Sequence, residues 1–278
     1  HQEARRQRQM CIRDRVVAAQ LPTLVKDIRP GSSSSLFCAQ APFFMASLGP
    51  ITLFPADDGV SGCELWSTDG TSKGTSMVAD IAPGLTGSSP MLFAGSGCRH
   101  SAVAGDVVVF GADDGVNGYE PWRSDGTAAG TFMLKNIRVG SFSSVPDCFV
   151  ALESEVYFIA NDPATPSWLW KTDGTPAGTV LVQGQGQSGG AWPTPFKGRL
   201  YFVATGSGVG TELWVTDGTD PGTVVFKDVN PGPQSFALEN LAVAAGYLWF
   251  TAGSDVWRSD GTSIGTEMVA SFPGGGIG

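Results

Sequence analysis

Five copies of one short motif, spread along the chain, constrain its fold more than any other feature. Each copy places a tryptophan three residues before an aspartate that glycine and threonine follow, as in Trp66 to Thr71. The motif aspartates lie 43 to 56 residues apart, at Asp69, Asp125, Asp173, Asp217 and Asp260. This spacing is typical of stacked supersecondary units, so the sequence predicts a repeat architecture.

Each repeat contains four short apolar runs separated by turn residues. The second run is the strongest, rich in β-branched and aromatic side chains, and the third holds the tryptophan. The second runs are at 51–54, 107–110, 156–159, 200–203 and 247–250. The weaker first runs are at 36–37, 91–93, 148–150, 195–196 and 241–243. Four strands in about 45 residues are typical of a propeller blade.

The predicted fold is therefore all-β, a β-propeller or an open propeller-like array of about five four-stranded blades. A sixth copy of the fourth run, at Val25–Gly31, predicts one extra N-terminal strand. Residues 16–278 are expected to form a single repeat domain, with units at roughly 32–84, 85–140, 141–187, 188–232 and 233–278. Because the repeat pattern is interrupted at both ends, we expect a fragment of a longer parent chain.

Residues 1–15 share nothing with the repeats. Their Arg/Gln-rich run resembles translated sequencing-adaptor sequence, which predicts a non-native tail. No apolar stretch of the length found in signal peptides follows the charges.

Composition narrows the classes of partner. The chain has 38 glycines, 18 prolines and 15% charged residues, as expected for turn-rich packed β structure, and its formal net charge is −9. An acidic surface repels phosphate backbones, which disfavours nucleic acid as a partner. No run of about 18 apolar residues is present, so no membrane span is predicted.

The motif loop is predicted to turn the chain between the third and fourth strands. The carboxylate of Asp69 suits backbone amides two or three residues on. Gly70 is expected to supply a positive φ, and Gly74 to repeat that role. The recurring tryptophan is expected to fill space between blades, with an aromatic sugar platform as the rival interpretation. Five aspartates cannot all line one active site, which disfavours catalysis by them.

Two acidic loops follow the second run, at Asp57-Asp58 and Asp113-Asp114, with Glu64 and Glu120 just beyond. Such oxygen ligands could hold calcium, the one cofactor that the sequence brings into question. Hairpin turn chemistry is the favoured interpretation, because the spacing differs from that of the twelve-residue calcium loop. No catalytic, cofactor-binding or metal-ligating residue is assigned.

Four cysteines lie outside the tail, at Cys38, Cys63, Cys98 and Cys148. Without a C-x-x-C pair, zinc is disfavoured. The favoured interpretation is one or two disulfides in an exported protein, and the sequence leaves three pairings open. Buried free thiols are the alternative. His100 is near Cys98 in sequence, but a strand would not bring their side chains together for nucleophilic catalysis.

The string Glu-Leu-Trp-x-x-Asp-Gly-Thr, clearest at 212–219, resembles the ELWxxDGT repeat proteins over residues 23–278. This resemblance implies propeller-like repeats and an extracellular or cell-surface location in bacteria, and it carries no agreed catalytic residue. The sequence departs from the motif at Pro121, Trp168, Asp255 and Gln183. The change at Gln183 weakens the prediction of a fourth strand in the third unit.

The expected function is a non-enzymatic scaffold or binding module for a protein or glycan. One alternative is a propeller enzyme acting on polysaccharide, with Asp106, Glu153 and Glu155 as its non-repeating carboxylates. Another is an adhesin module rigidified by calcium.

Overall fold

The computed structural model describes most of the repeat region. The described residues are 23–31, 34–35, 45–90, 98–163, 168–182, 187–235 and 237–272. Within them, the regular elements are twenty strands, and none of these residues forms a helix of the length and apolarity that a membrane span needs.

The strands form five sheets of four, which we call blades 1 to 5. Blade 1 has β1 (Ala46–Leu48), β2 (Ile51–Asp57), β3 (Cys63–Thr68) and β4 (Ser76–Ala79). Blade 2 has β5 (Ser101–Ala104), β6 (Val107–Asp113), β7 (Tyr119–Ser124) and β8 (Phe132–Met133). Blade 3 has β9 (Asp147–Leu152), β10 (Glu155–Ala160), β11 (Trp168–Thr172) and β12 (Val180–Leu181). Blade 4 has β13 (Gln187–Phe196), β14 (Arg199–Gly206), β15 (Gly210–Thr216) and β16 (Val224–Lys227). Blade 5 has β17 (Leu238–Ala244), β18 (Tyr247–Ala252), β19 (Asp255–Ser259) and β20 (Thr266–Ser271).

Every blade is an antiparallel meander in which strands pair in chain order. The first strands β1, β5, β9, β13 and β17 contact one another in succession and surround a shared cavity. The predicted propeller-like, all-β fold of five four-stranded blades is thereby confirmed. The strong second runs all form strands, whereas the fourth strands β8 and β12 have only two residues each.

The first strands are where sequence and structure differ most. In blades 3 to 5 the weak first runs lie within β9, β13 and β17. The runs at 36–37 and 91–93 lie outside the described residues, and the first strands of blades 1 and 2 follow about ten residues later. Both begin among small side chains, Ala46 in β1 and Ser101 in β5, which give little hydrophobic signal.

The motif tryptophans join consecutive blades, as predicted. Trp122 packs with Leu53 and Leu65 of blade 1, and Trp170 packs with Leu134 and Ile137 of blade 2. Trp214 and Trp257 pack in the same way against blades 3 and 4. In blades 2 to 5 the preceding blade therefore covers the tryptophan of the next one.

The predicted extra N-terminal strand is absent, because residues 23–31 form no strand. A strand needs a hydrogen-bonded neighbour, and no described strand flanks this segment. The segment instead lies on blade 1. Ile28 packs with Phe54 and Trp66, and the Lys26 ammonium donates to the Thr75 carbonyl at 2.6 Å.

Candidate functional site

The motif aspartate organises the turn between the third and fourth strands of each blade. In blade 1, Asp69 Oδ1 accepts from the Thr71 amide at 2.8 Å and from the Thr71 hydroxyl at 2.7 Å. The Thr71 hydroxyl oxygen in turn accepts from the Gly74 amide. The short Asp69 carboxylate thus accepts hydrogen bonds from turn groups that have no partner on a neighbouring strand, as the sequence predicts.

The same network recurs in all five blades. The aspartate pairs with the threonine two residues on in every copy: Asp69 with Thr71, Asp125 with Thr127, Asp173 with Thr175, Asp217 with Thr219, and Asp260 with Thr262. These hydrogen bonds, led by the threonine hydroxyl, hold the pKa of each aspartate below its ordinary value. The five carboxylates are therefore ionised acceptors at neutral pH.

The second motif glycine has a different role from the one predicted. Gly70 has φ 86°, whereas Gly74 is not among the residues with positive φ. A Cβ built at Gly74 would lie 2.1 Å from Asp69 Oδ1, and the equivalent contact between Gly222 and Asp217 is 1.9 Å. Gly74 is needed because the folded-back carboxylate occupies the space of a side chain.

The turns also join neighbouring blades. Arg123 of blade 2 donates to the Gly174 carbonyl in the turn of blade 3 at 3.1 Å. In blade 4, Lys197 donates to the Asp260 carbonyl of blade 5 at 2.6 Å and Tyr201 donates to that of Gly261 at 3.4 Å. The motif loop is thus part of the blade interface, a role that its sequence did not reveal.

The motif glutamates are buried structural acceptors. Glu64 and Glu120 have no exposed surface. Glu64 accepts from the Ile81, Ala82 and Ser88 amides at 2.9 to 3.1 Å and from the Ser88 hydroxyl. Glu120 makes the same four contacts, with the Ile137, Arg138 and Ser144 amides and the Ser144 hydroxyl.

Glu64 and Glu120, which follow the acidic loops in sequence, are thus engaged by the donors of a different loop. Burial raises the pKa of both carboxyls, and the surrounding hydrogen bonds oppose that rise. By accepting hydrogen bonds from its amides, both side chains hold the long loop that leads to the next blade in one conformation. The sequence signal was available, because the glutamate precedes its first amide partner by 17 residues in each case.

Glu212 occupies the same position in blade 4 with fewer partners. Its Oε2 accepts from the Val229 amide at 2.6 Å. Its Oε1 is buried and accepts no well-aligned hydrogen bond from the described residues, although the Asn230 amide is close enough to oppose the rise that burial causes in the pKa of this carboxyl. Phe236 stands where the other two loops carry the serine, so this blade lacks the hydroxyl donor.

The acidic loops form side-chain-capped turns. Asp57 Oδ1 accepts from the Gly59 amide at 2.6 Å, and Asp58 Oδ1 accepts from the Val60 and Ser61 amides, both at 2.8 Å. Asp113 and Asp114 cap their own loop in the same way: Gly115 at 2.7 Å, Val116 at 2.9 Å and Asn117 at 2.7 Å. In the parts of the chain that the structure describes, no three His, Cys, Asp or Glu side chains are grouped to hold a metal ion.

The non-repeating carboxylates considered for polysaccharide chemistry lie in hairpin turns or next to one. Asp106 and Glu153 are exposed between the first and second strands of blades 2 and 3. Glu155 pairs with the Lys171 ammonium at 2.9 Å and accepts from the Tyr157 hydroxyl at 2.9 Å. Glu155 is thus engaged in a contact between strands β10 and β11.

A cavity of about 710 Å³ lies at the centre of the blades. All five first strands or their flanking residues contribute to its lining. Small and apolar side chains predominate, with hydroxyls from Ser47, Ser101 and Thr194. Arg99 and Trp192 bring the largest polar and aromatic groups. None of the described lining residues belongs to the recurring motif, so the repeat pattern could not have located the cavity.

A disulfide borders this cavity. Cys98 and Cys148 are bonded, which joins the residues before β5 to β9 and is one of the pairings left open by the sequence. Cys63 is buried in β3, and Cys38 lies outside the described residues. Beside the disulfide, His100 Nδ1 and Asp147 Oδ1 are 2.9 Å apart. Because Cys98 is oxidised, it has no thiol for nucleophilic chemistry.

No protein-family model and no curated protein sequence matches the chain. Solved structures that are similar include one of two prolyl endopeptidases, with 12% identity, TM-score 0.48, and coverage of 80% of this chain and 33% of that one. A xyloglucanase from Xanthomonas campestris has 13% identity, TM-score 0.45 and coverage of 80% and 36%. TolB from Acinetobacter baumannii has 11% identity, TM-score 0.36 and coverage of 76% and 50%. The chain spans half or less of each of these structures, and at such identities the likeness concerns the fold alone.

Proposed function

We propose that this chain is a non-enzymatic propeller-type binding module of an exported or cell-surface bacterial protein, with a glycan or a protein as its ligand. One observation carries the proposal. The recurring motif carboxylates are hydrogen-bonded to their own turns or to the loop that leads to the next blade, whereas the central cavity is lined by residues that differ from blade to blade. Recognition therefore belongs to the cavity, and the repeats supply a rigid frame for it.

The lining of the cavity suits binding more than bond cleavage. Trp192, which also packs against the core of blades 4 and 5, contributes an aromatic ring to the lining, and Arg99 contributes a guanidinium with several hydrogen-bond donors. Among the described residues that line it, none is a carboxylate or a histidine. General acid–base catalysis needs such groups close to the ligand.

The disulfide and the motif resemblance support the proposed location. Disulfides persist in oxidising compartments and are rare in reducing ones. Cys98–Cys148 joins two blades and is an integral part of the cavity rim. This chemistry agrees with the exported or surface setting that the ELWxxDGT resemblance implies.

The test is a binding titration of a panel of soluble oligosaccharides and polysaccharides against the full chain. Arg99→Ala and Trp192→Ala are expected to weaken binding at least tenfold. Trp249→Ala, outside the cavity, serves as the matched control and is expected to leave affinity unchanged. Turnover of a glycan would contradict the non-enzymatic assignment, and binding that neither cavity variant alters would contradict its location.

A protein ligand is the second arm of the same test. If no glycan in the panel binds, a photo-crosslinking amino acid at Ser47 is expected to label a protein from the bacterial surface, and excess unlabelled chain is expected to compete for it. Arg99→Ala is expected to reduce that labelling. Absence of both glycan binding and competed labelling would overturn the proposal.

A further inference from the structure

The backbone around Arg99, at the central cavity, is tied to the first strand of blade 3. Cys98, the residue before it, is disulfide-bonded to Cys148. The carbonyl of Arg99 itself accepts from the Phe149 amide at 2.9 Å. Two successive residues that precede β5 are thus joined to two successive residues of β9.

The residue after Arg99 extends this connection. His100 Nδ1 lies 2.9 Å from Asp147 Oδ1, and both side chains are largely buried. Each of the three residues at 98–100 therefore contacts one of the three residues at 147–149. Because the chain is held before, at and after Arg99, this residue has a defined backbone position beside the cavity.

The side chain of Arg99 differs from its two neighbours in having no partner on blade 3. It is exposed and lines the cavity. Within the described part of the chain, its guanidinium forms no ion pair and no hydrogen bond. Arg99 is also the one charged residue among the described residues of the lining. A positioned cation thus faces a cavity whose other described lining groups are neutral.

Two β-bulges shape the lining of this cavity. Cys148 in β9 and Trp192 in β13 have φ of 56° and 57°, where each first strand shifts register against the second. Both of them line the cavity, as do the residues that follow them, Phe149 and Pro193. A left-handed backbone is unfavourable for a side chain as large as tryptophan, and such conformations cluster at ligand sites.

The neutral groups of the lining suit a sugar. Ser47, Ser101 and Thr194 provide hydroxyls that both donate and accept hydrogen bonds, and Trp192 provides an aromatic surface. The volume of about 710 Å³ is within the range of small-molecule sites. Sugars present hydroxyls and apolar C–H faces, which match these two kinds of group.

The charge of the lining restricts which sugar fits. An arginine binds a carboxylate through two parallel hydrogen bonds in one plane, which gives both strength and geometric selectivity. One cation balances one negative charge, and the formal net charge of −9 opposes the approach of a dense polyanion. These observations favour a ligand with a single carboxylate at the site of contact.

We propose that the cavity binds an acidic glycan, with the carboxylate of a uronic acid residue paired to the Arg99 guanidinium. The inference rests on the proposed binding function of the cavity and names the class of its ligand. Cys98 and Cys148, together with His100 and Asp147, are positioning residues that act through Arg99.

The experiment compares acidic oligosaccharides with their methyl esters, which keep the sugar and remove the charge. Trigalacturonate, trimannuronate and triglucuronate are titrated against the full chain. At least one acid is expected to bind roughly tenfold more tightly than its ester. Arg99→Gln is expected to lower the affinity for that acid to the affinity for its ester, and to leave the ester unaffected. Arg199→Gln, which removes the same charge from an exposed position outside the described lining, is the matched control and is expected to change neither affinity.

The failure of this inference is distinct from the failure of the proposed function. Equal affinities for acids and esters, both weakened by Trp192→Ala, would overturn the acidic ligand and leave the cavity as the binding site. The same conclusion would follow if only a neutral glycan or a protein bound in a manner that Trp192→Ala weakens. Absence of all binding would overturn both.

The positioning role is tested by the ratio of the affinities for acid and ester. Cys98→Ser/Cys148→Ser is expected to lower this ratio by roughly threefold or more, because Arg99 must then be ordered on binding. Both affinities are measured well below the Tm of the variant. A purely structural defect would weaken acid and ester together, so an unchanged ratio would contradict the positioning role.

Discussion

At the scale of single residues, two kinds of motif carboxylate have opposite electrostatic environments. The turn aspartates have lowered pKa values because hydroxyl and amide donors favour the ionised form, as at Asp217. The interior glutamates have raised pKa values because burial disfavours charge, as at Glu120. The aspartates therefore stabilise the fold above their ordinary pKa, whereas the ionised glutamates depend on their hydrogen bonds for compensation.

The contact between Gly222 and the Asp217 carboxylate predicts a strong coupling between these positions. Gly222→Ala alone is expected to lower the free energy of unfolding by about 1–3 kcal/mol, because its Cβ would overlap the carboxylate. In the Asp217→Ala background the same change is expected to cost much less. A double-mutant cycle by urea unfolding measures the coupling, and additive costs would show that the contact does not limit residue 222.

The lowered pKa of Asp217 predicts a pH-dependent effect of Asp217→Asn. The ionised carboxylate stabilises the fold above its unfolded pKa of 3.8, and that contribution is lost as pH falls through the lower folded pKa. The stability gap between wild type and Asp217→Asn is therefore expected to be widest at neutral pH and to narrow below pH 3.8. Urea midpoints down to about pH 2.5 measure it. A constant gap would mean that the charge makes no contribution.

At the scale of elements, strands with strong side-chain patterns were predictable and strands with weak ones were not. The second strands could be predicted directly from runs of β-branched and aromatic residues, such as residues 107–110 in β6. The first strands of blades 1 and 2 did not, because Ala46 and Ser101 belong to short strands of small residues. The turn aspartates were predictable from local chemistry, whereas the buried role of Glu64 depends on amides 17 or more residues away.

The unequal hydrogen bonding of Glu120 and Glu212 predicts unequal costs for one substitution. Glu120→Gln would turn an NH₂ group toward two donors, such as the Arg138 and Ser144 amides at Oε1, so we expect a loss of about 2–4 kcal/mol in the free energy of unfolding at neutral pH. Glu212→Gln is the matched control, with a smaller expected loss of about 1 kcal/mol, because Oε1 accepts no well-aligned hydrogen bond from the described residues. Chemical denaturation measures both. Equal losses would contradict the capping role of Glu120.

At the scale of the whole molecule, stability comes from interfaces between blades. The repeat spacing predicted this architecture, since one small sheet cannot bury its own apolar faces. The cavity at the first strands was not predictable, because its lining residues, such as Arg99 and Trp192, carry no repeat signal. The disulfide pairing was also left open, because it depends on which first strands become neighbours.

The Cys98–Cys148 bond predicts a large effect of its removal. It closes a loop of 50 residues, for which chain entropy gives about 4 kcal/mol, with about 2–4 kcal/mol typical of measured disulfides. The double variant Cys98→Ser/Cys148→Ser is expected to lower the free energy of unfolding by about 2–4 kcal/mol. Denaturation of the double variant against oxidised wild type tests this, and equal stability would show that the bond adds no constraint.

The most direct test of blade interdependence is hydrogen exchange in Trp170→Ala. Trp170 belongs to blade 3 but packs on Val109, Leu134 and Ile137 of blade 2. The account predicts that the opening free energies of β6 and β10 both fall by about 3–5 kcal/mol, while Trp249→Ala leaves both unchanged. Loss of protection confined to blade 3 would contradict it and would mean that the blades fold as independent sheets.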